Sequence, residues 1–330
     1  MKQLSHETHQ AVPLQSFIAA SIGRGVIGAC SPFPALRRTF AKVGITPAHF
    51  GNRAVRMQIP KSSKSFLMTG ADTNHLTFQL FWGGTDYYEP FTRKVIETLT
   101  ASAKVFIDVG ANVGFFSLVA ATVNPQLTLI AFEPNPSMFA TLSANKRIND
   151  LSNLRVEPMA VSNVEGEAQL FLSPSDMSAS LVPDFQKDLN PSPTSVSVRT
   201  TTLDSYVQQV GLQAPMVLKI DAEGHEKAVL QGAQRTISNL KPDLVIEVLG
   251  DFDPTLLRQY REQGYRFYKI TNQGLLESEA VTLTKIGEFV FFNYLFTTRP
   301  LGEIYSLSEV LRQSATGINL FQTSKFAAHV

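Results

Sequence analysis

Eight consecutive residues, Lys219-Ile-Asp221-Ala-Glu223-Gly-His225-Glu226, carry one ammonium, three carboxylates and one imidazole. That mixture can take a proton from a bound acceptor. An imidazole titrates near neutrality, and a carboxylate can orient the ring or act as the base itself. His225 is therefore the natural general base, and Asp221 or Glu223 either orients it or replaces it. Side chains alternate along a strand, so Lys219 and Asp221 share one face. A buried, unpaired lysine is costly; Lys219 must meet a ligand or a carboxylate, with Asp221 and Glu247 as its structural candidates. Glu226 begins the following helix, where a negative charge favours the dipole, and is expected to be structural.

A second block lies upstream. The run Val105-Phe-Ile-Asp108-Val-Gly110-Ala-Asn112-Val-Gly114 ends an apolar strand in an acid and a glycine turn, then enters an apolar helix. Glu133 closes the next apolar run, Leu127-Thr-Leu-Ile-Ala-Phe-Glu133. Strand, glycine turn, helix, strand and acid is the unit that binds a nucleoside beyond the carboxyl ends of a parallel sheet. Gly110 and Gly114 let the backbone approach a ligand, and Glu133 can accept hydrogen bonds from ribose hydroxyls. Asp108 would repel a pyrophosphate, which disfavours a dinucleotide and an NAD-dependent dehydrogenase. A cationic nucleoside without phosphates fits better, and S-adenosylmethionine, with a sulfonium and an ammonium, is such a ligand. An ordinary tight turn would also contain glycines, but it would not require the acid and Glu133 at this spacing.

Asp108-Val-Gly-Ala-Asn-Val-Gly114 with Ser117, then Phe132-Glu-Pro-Asn135, then Lys219-Ile-Asp-Ala-Glu-Gly-His-Glu226 with Leu230 and Gly232-Ala233, occur in that order. Together they resemble the FkbM family of S-adenosylmethionine-dependent methyltransferases, over about residues 106–249. The resemblance implies a class I methyltransferase fold, Rossmann-like, with a seven-stranded mostly parallel sheet. It implies O-methylation of a sugar or natural product, so that the partner is a small-molecule or glycan acceptor. It places Asp108, Gly110, Asn112, Gly114, Ser117, Glu133 and Asn135 at the cofactor, and Lys219, Asp221, Glu223 and His225 at the transfer step. Fold analogy puts the adenine against Met159 and Ala160. An N-methyltransferase is disfavoured, because the Asn/Asp-Pro-Pro-aromatic segment used on amides is replaced by Asp221-Ala-Glu-Gly. A non-catalytic cofactor-binding protein is a further alternative, against which the intact blocks argue.

These groups need elements to hold them. Alternating β and α patterns predict a parallel sheet covered on both faces. Strands are expected at 154–161, 216–221, 243–249, 265–270 and 288–297, and helices at 89–99 and 255–263. Asn135-Pro136 reads as N-cap and first helical residue. Thr201-Thr-Leu-Asp204 reads as a capping box. Upstream, 55–60, 65–69 and 75–81 alternate as short strands, and Trp82, Tyr87 and Tyr88 flank a glycine break as core or lid. A Ser/Pro-rich insertion at about 165–200 should hold a hairpin, 168–172 against 196–200, and a loop at 174–193. That loop and residues 12–45 are expected to shape acceptor choice. The organisation is thus an N-terminal helical and β-hairpin appendage (1–85), a catalytic domain (86–300) and a C-terminal tail (301–330).

Composition excludes several classes. A net charge of +1 in 330 residues gives no basic surplus for nucleic acid. With 44% hydrophobic and 17% charged residues, the chain can build a sizeable core. One cysteine, Cys30, excludes an intramolecular disulfide and a multi-cysteine metal site. Residues 11–29 are apolar, and Ile27-Gly-Ala-Cys30 is similar to a lipoprotein cleavage site, but Arg24 interrupts the run. A surface or lid helix is expected there rather than a signal peptide or membrane span, and a cytoplasmic location follows from the cofactor. Asp221, Glu223 and Glu247 are an oxygen set that magnesium would accept, yet carboxylates at strand ends are common without one, and no metal is expected.

Overall fold

The computed structural model describes residues 54–70, 74–172, 179–183, 194–249, 252–282, 284–286 and 289–315. The expected lid helix, Cys30 and the 174–193 loop apart from 179–183 lie outside the described residues. A hairpin comes first, β1 (Val55–Gln58) and β2 (Ser65–Met68), then helices α1 (His75–Gly83) and α2 (Pro90–Thr100). The core begins with β3 (Val105–Val109), α3 (Phe115–Val123), β4 (Thr128–Phe132), α4 (Pro136–Ile148) and β5 (Leu154–Glu157). An inserted sheet holds β6 (Met159–Val161), β7 (Gly166–Leu172), β8 (Ala179–Ser180) and β9 (Thr194–Thr201). Next come α5 (Leu203–Val210), β10 (Met216–Ile220), α6 (Glu226–Gln231), α7 (Gln234–Leu240) and β11 (Asp243–Glu247). The chain continues through α8 (Pro254–Glu262), β12 (Arg266–Thr271), β13 (Gly274–Glu277), β14 (Thr284–Ile286), β15 (Phe289–Phe291), β16 (Asn293–Thr297) and α9 (Leu301–Ala315).

The main sheet runs β13-β12-β16-β11-β10-β3-β4-β5. The five strands from β11 to β5 are parallel, and β16 lies antiparallel between β11 and β12. The sheet has eight strands where seven were expected. The eighth is β13, folded back along β12 by a turn at Gly274, whose φ is +103°. Serine 308 of α9 holds this turn by accepting from Leu275 N at 2.9 Å, and so four residues too few to stand out in the sequence become an edge strand.

Period-2 alternation divides the core into two layers. Phe106, Leu129, Ala131, Val217 and Val245 face α2, α3, α4 and α9, whereas Ile107, Ile130, Leu218 and Ile246 face α5 to α8. The strands β3, β10 and β11 are buried on both faces, as a doubly covered parallel sheet requires. The β1–β2 hairpin is tied to α4 by amides: Asn149 exchanges two 2.7 Å bonds with the Leu67 backbone, and Asn145 Oδ1 accepts from Thr69 N at 2.7 Å. Asn145 Nδ2 also donates to Val113 O at 2.8 Å, which connects the hairpin to the glycine turn.

Three expected elements differ. Residues 75–81 are helical: Asn74 caps the segment by accepting from Thr77 N at 3.0 Å, and the most deeply buried positions, Asn74, Thr77 and Leu80, are spaced three apart. The strand expected at 154–161 breaks at Pro158, which has no N–H for a ladder; β5 stays in the main sheet and β6 joins the inserted one. The strand expected at 288–297 is interrupted at Phe292, whose carbonyl accepts from Val248 N at 2.8 Å. The α5 cap is Thr202 rather than Thr201, accepting from Ser205 N. The insertion hairpin pairs as expected, with Ala168 opposite Val198.

Candidate active site

The cleft opens at the carboxyl ends of β3, β4 and β10, next to the point where the strand order reverses. Gly110 leaves β3 with φ +76°. Its N–H and that of Ala111 donate to Phe132 O at 3.1 and 3.0 Å, while Asp221 N donates to Val109 O at 3.1 Å. Three strand ends thus meet here, and a Cβ on Gly110 would overlap the Asp221 carbonyl oxygen. Asn112 takes φ +51°, which asparagine tolerates, and its Oδ1 accepts from Val113 N at 2.8 Å. Gly114 serves packing, since a Cβ there would meet Leu142 of α4.

Glu133, 5% exposed, spans the turn and the next helix. Its two oxygens accept from Asn112 N at 2.6 Å and Asn135 N at 2.8 Å. Asn135 in turn caps α4 by accepting from Ser137 N, with Pro136 at the first helical position, as its sequence signature predicts. Burial pushes the Glu133 carboxyl up to about 7, against the two backbone bonds. Gly110, Asn112, Glu133, Asn135, Met159 and Ala160 all line the cleft, together with Asp221, Glu223 and His225. Asp108, Ser117 and Lys219 lie in the buried layer beside it, and Ser117 Oγ donates to Asp108 Oδ2 at 2.7 Å.

Lys219 is 2% exposed and stands in register with Asp108 on β3. Its Nζ donates to Asp221 Oδ2 at 2.8 Å and sits 4.6 Å from the Phe116 ring centroid. Burial alone would lower the lysine pKa, but Asp221, Asp108 and Glu89 reverse this and hold the ammonium charged. Burial likewise pushes Asp221 up, but the Lys219 charge and the hydrogen bonds from Glu247 and Lys219 together more than offset it, so Asp221 stays below the usual carboxylate range. Glu247 and Glu223 are held well above that range by burial and by the Asp221 charge. Asp221 is thus the most readily ionised of the three, and Glu247 and Glu223 hold their protons more tightly than ordinary carboxyls.

Glu89 completes this cluster. It precedes α2 in a left-handed conformation, φ +40°, and does not cap the helix. Asn293 Nδ2 donates to its Oε2 at 3.0 Å, and one oxygen each of Glu89, Asp221 and Glu247 lies within 4.8 Å of the others. Burial raises Glu89 to about 7, although Lys219 opposes the shift. Of the three acids singled out as an oxygen set, Asp221 and Glu247 converge, and Glu89 stands where Glu223 was considered. Tyr88 lines the cleft beside them, its phenol held protonated by burial and by Glu89 and Asp221.

His225, at the same cleft, is engaged by the inserted sheet. Its Nε2 is 3.0 Å from Ser162 Oγ, and burial lowers its pKa below 6.5. Glu226 is structural: its Oε1 accepts from Ala222 N and Gly224 N at 3.0 and 3.1 Å, which shapes the loop after β10. Sequence reasoning missed Glu89, Asn293 and Ser162 as neighbours of the site. Glu89 had one signal, an acid directly before Pro90 at a helix start. Asn293 had none, since it lies more than seventy residues from β10 and arrives only through antiparallel pairing with Glu247.

The buried acids make stability depend on pH. A carboxyl whose folded pKa exceeds its unfolded value contributes fully below the unfolded value and loses that contribution as pH rises through the folded one. For Glu133 and Glu89 the window runs from 4.5 to about 7. Asp221, shifted down, acts only below 3.8. His75 and His225, lowered by burial, act in the opposite sense near 6.5 but from more exposed positions. Glu133 alone is worth about 3 kcal/mol at most. The free protein should therefore melt at a higher temperature at pH 5 than at pH 8, and Glu133→Gln should reduce the difference. Equal melting temperatures at the two pH values would contradict the assignment.

Among the described residues, no helix is long and apolar enough to cross a membrane. Residues 108–267 match the model of the methyltransferase FkbM domain. The hexuronic acid methyltransferase AglP of Haloferax volcanii is 25% identical over 186 residues, 56% of this chain and 69% of that protein. Methyltransferase sdnD of Sordaria araneosa is 28% identical over 188 residues, 49% of this chain and 73% of that one. The 31-O-demethyl-FK506 methyltransferase FkbM of Streptomyces tacrolimicus is 30% identical over 158 residues, 39% of this chain, and the chain spans 59% of that relative's length.

Proposed function

We propose that the chain is a member of the FkbM methyltransferase family, whose domain model matches residues 108–267, and that it transfers a methyl group from S-adenosylmethionine to a hydroxyl of a sugar or natural product. The observation that carries this reading is the pairing of a nucleoside cradle with an ionised aspartate on the adjacent strand end. Two features support the reading of a cofactor cradle: the glycine turn at Gly110 lets the ends of β3 and β10 meet closely at the cleft, and Glu133 presents a buried carboxyl at its wall. Residues Gly110, Asn112, Glu133 and Asn135 would hold the ribose and methionine parts, with Asp108 and Ser117 supporting the turn from beneath. Met159 and Ala160 would contact the adenine. When bound, the cofactor supplies an activated methyl carbon.

The protein's own residues then have defined tasks. Lys219 keeps Asp221 ionised through the 2.8 Å bond. Asp221 accepts a hydrogen bond from the acceptor hydroxyl and aligns it for in-line attack, which is where positioning contributes most. In transfer, the acceptor oxygen would take the methyl carbon as the carbon–sulfur bond breaks and S-adenosylhomocysteine leaves with that electron pair, and the hydroxyl proton would pass to the carboxylate cluster. Glu89, at about 7, has the basicity suited to neutral pH. Glu223, its carboxyl raised by burial and by Asp221, is placed to hydrogen-bond a second acceptor hydroxyl, and His225 braces the loop. Such an enzyme would work in the cytoplasm, where its cofactor is made.

Calorimetry with S-adenosylmethionine and S-adenosylhomocysteine tests the cofactor half. Glu133→Ala should weaken both by about 10–100-fold, the loss of one charge-assisted contact of roughly 1.5–3 kcal/mol. Unchanged affinity in a folded variant would remove Glu133 from the site. Transfer of labelled methyl to a panel of hydroxylated glycans and polyketides, followed by product analysis, tests the acceptor half. Label found only on nitrogen would overturn the O-methyl reading.

A further inference from the structure

The inserted sheet has the order β6-β9-β7-β8, and both of its outer strands reach the same cleft. Met159 and Ala160 of β6 line it from one edge; Ala179 of β8 and Leu181 just beyond line it from the other. A four-stranded sheet whose two edges both face one cleft must curve around it. The inner surface it presents is apolar, with Leu170 of β7 between the edges.

β8 is weakly held by its own sheet. It has two residues, Ala179 opposite Leu172 and Ser180 opposite Phe171, and a strand of that length has little stability by itself. Its further attachment runs to the core. Ser180 is 3% exposed, its Oγ donates to the Glu223 carbonyl at 2.6 Å, and the same Oγ accepts from Val182 N at 3.0 Å. Glu223 has φ +51°, an uncommon conformation for a residue with a side chain. At the opposite edge, Ser162 directly follows β6 and contacts His225. Two serine hydroxyls, from the two edges of the insertion, thus grip the one loop that also carries Asp221.

We propose that the inserted sheet is a latched outer wall of the cofactor cleft, closed over the adenosine end by Ser180 on the Glu223 carbonyl and by Ser162 on His225. This rests on the reading of the cleft as a site for S-adenosylmethionine. It gives the insertion a role in retaining the cofactor, in addition to any influence on the acceptor. Ser180 is a positioning residue: it touches no ligand, and it acts by holding Ala179 and Leu181 against the bound adenosine.

The test uses the full-length protein and S-adenosylhomocysteine, whose binding rates are followed by surface plasmon resonance. Ser180→Ala removes one hydroxyl, so dissociation should quicken about 3–10-fold with the melting temperature nearly unchanged. Leu181→Asp, which sets a charge into the apolar wall, should weaken affinity about 30-fold or more. Hydrogen exchange adds a local readout: amides of residues 166–172 and 179–182 should become protected when the ligand binds. If the wild type and Glu133→Ala behave as proposed above but both insertion variants bind and release like wild type, the wall is overturned and the cofactor reading stands. If the wild-type protein binds no S-adenosylhomocysteine, both fall together.

Discussion

Asp221→Asn should lower single-turnover methyl transfer by roughly 10²–10⁴-fold, the range for losing a group that handles a reacting proton. S-adenosylhomocysteine affinity should stay within about threefold, because this side chain is assigned to the acceptor and the loss falls on the transition state. The variant should fold. Asparagine keeps an oxygen for Lys219, and the ammonium retains Asp108 beside it in register and Glu89 nearby. The pH profile separates two candidates for the proton's destination. His225 has its pKa lowered by burial, so an imidazole base would put the rise in rate below pH 6.5 and leave activity flat above it. A carboxylate cluster containing Glu89 puts the rise near pH 7. Near-wild-type transfer by Asp221→Asn, measured on an acceptor found by label transfer, would show that the Lys219–Asp221 pair serves only to satisfy a buried lysine.

That pair also shows how far the sequence could be read. Period-2 alternation put Lys219 and Asp221 on one face, and the cost of a buried ammonium demanded a carboxylate; both follow from local rules, and both hold at 2.8 Å. The turn from Asp108 to Gly114 and the cap at Asn135 were legible for the same reason, because the physics acts within a few residues. Convergence of distant segments was not. Glu89 and Asn293 meet over 204 positions of chain, through a register that no local pattern encodes. The helix at His75–Gly83 was misread because seven residues of mixed polarity fit either period, and the deciding signal was one capping amide, Asn74. The break at Pro158 was visible as a residue type, but its consequence was not. The strand leaves the main sheet there and begins the inserted one, which carries Met159 and Ala160 to the cleft on a different element from β5.

Gly110→Ala should be severely damaging for the addition of a single methyl. Two costs coincide at this residue. The backbone is left-handed, φ +76°, which a side chain disfavours, and the added Cβ would overlap the Asp221 carbonyl oxygen. That oxygen belongs to main chain pinned by the Asp221 N to Val109 O bond, so it cannot yield as a flexible side-chain tip could. Relief requires β3 and β10 to part at their carboxyl ends, where the cofactor turn and Asp221 both sit. The expected loss is roughly 2–6 kcal/mol of stability, from strained backbone and overpacking together. S-adenosylhomocysteine binding should fall beyond 100-fold, since the turn moves away from Glu133, whose Oε2 depends on Asn112 N. Gly211→Ala separates the two costs: φ there is +72°, yet the new methyl would meet no atom within 4 Å. That variant should lose only about 1–2 kcal/mol and bind normally. If denaturant melts and calorimetry gave Gly110→Ala the same modest loss and wild-type affinity, the close approach of the two strand ends could not be what shapes the cradle.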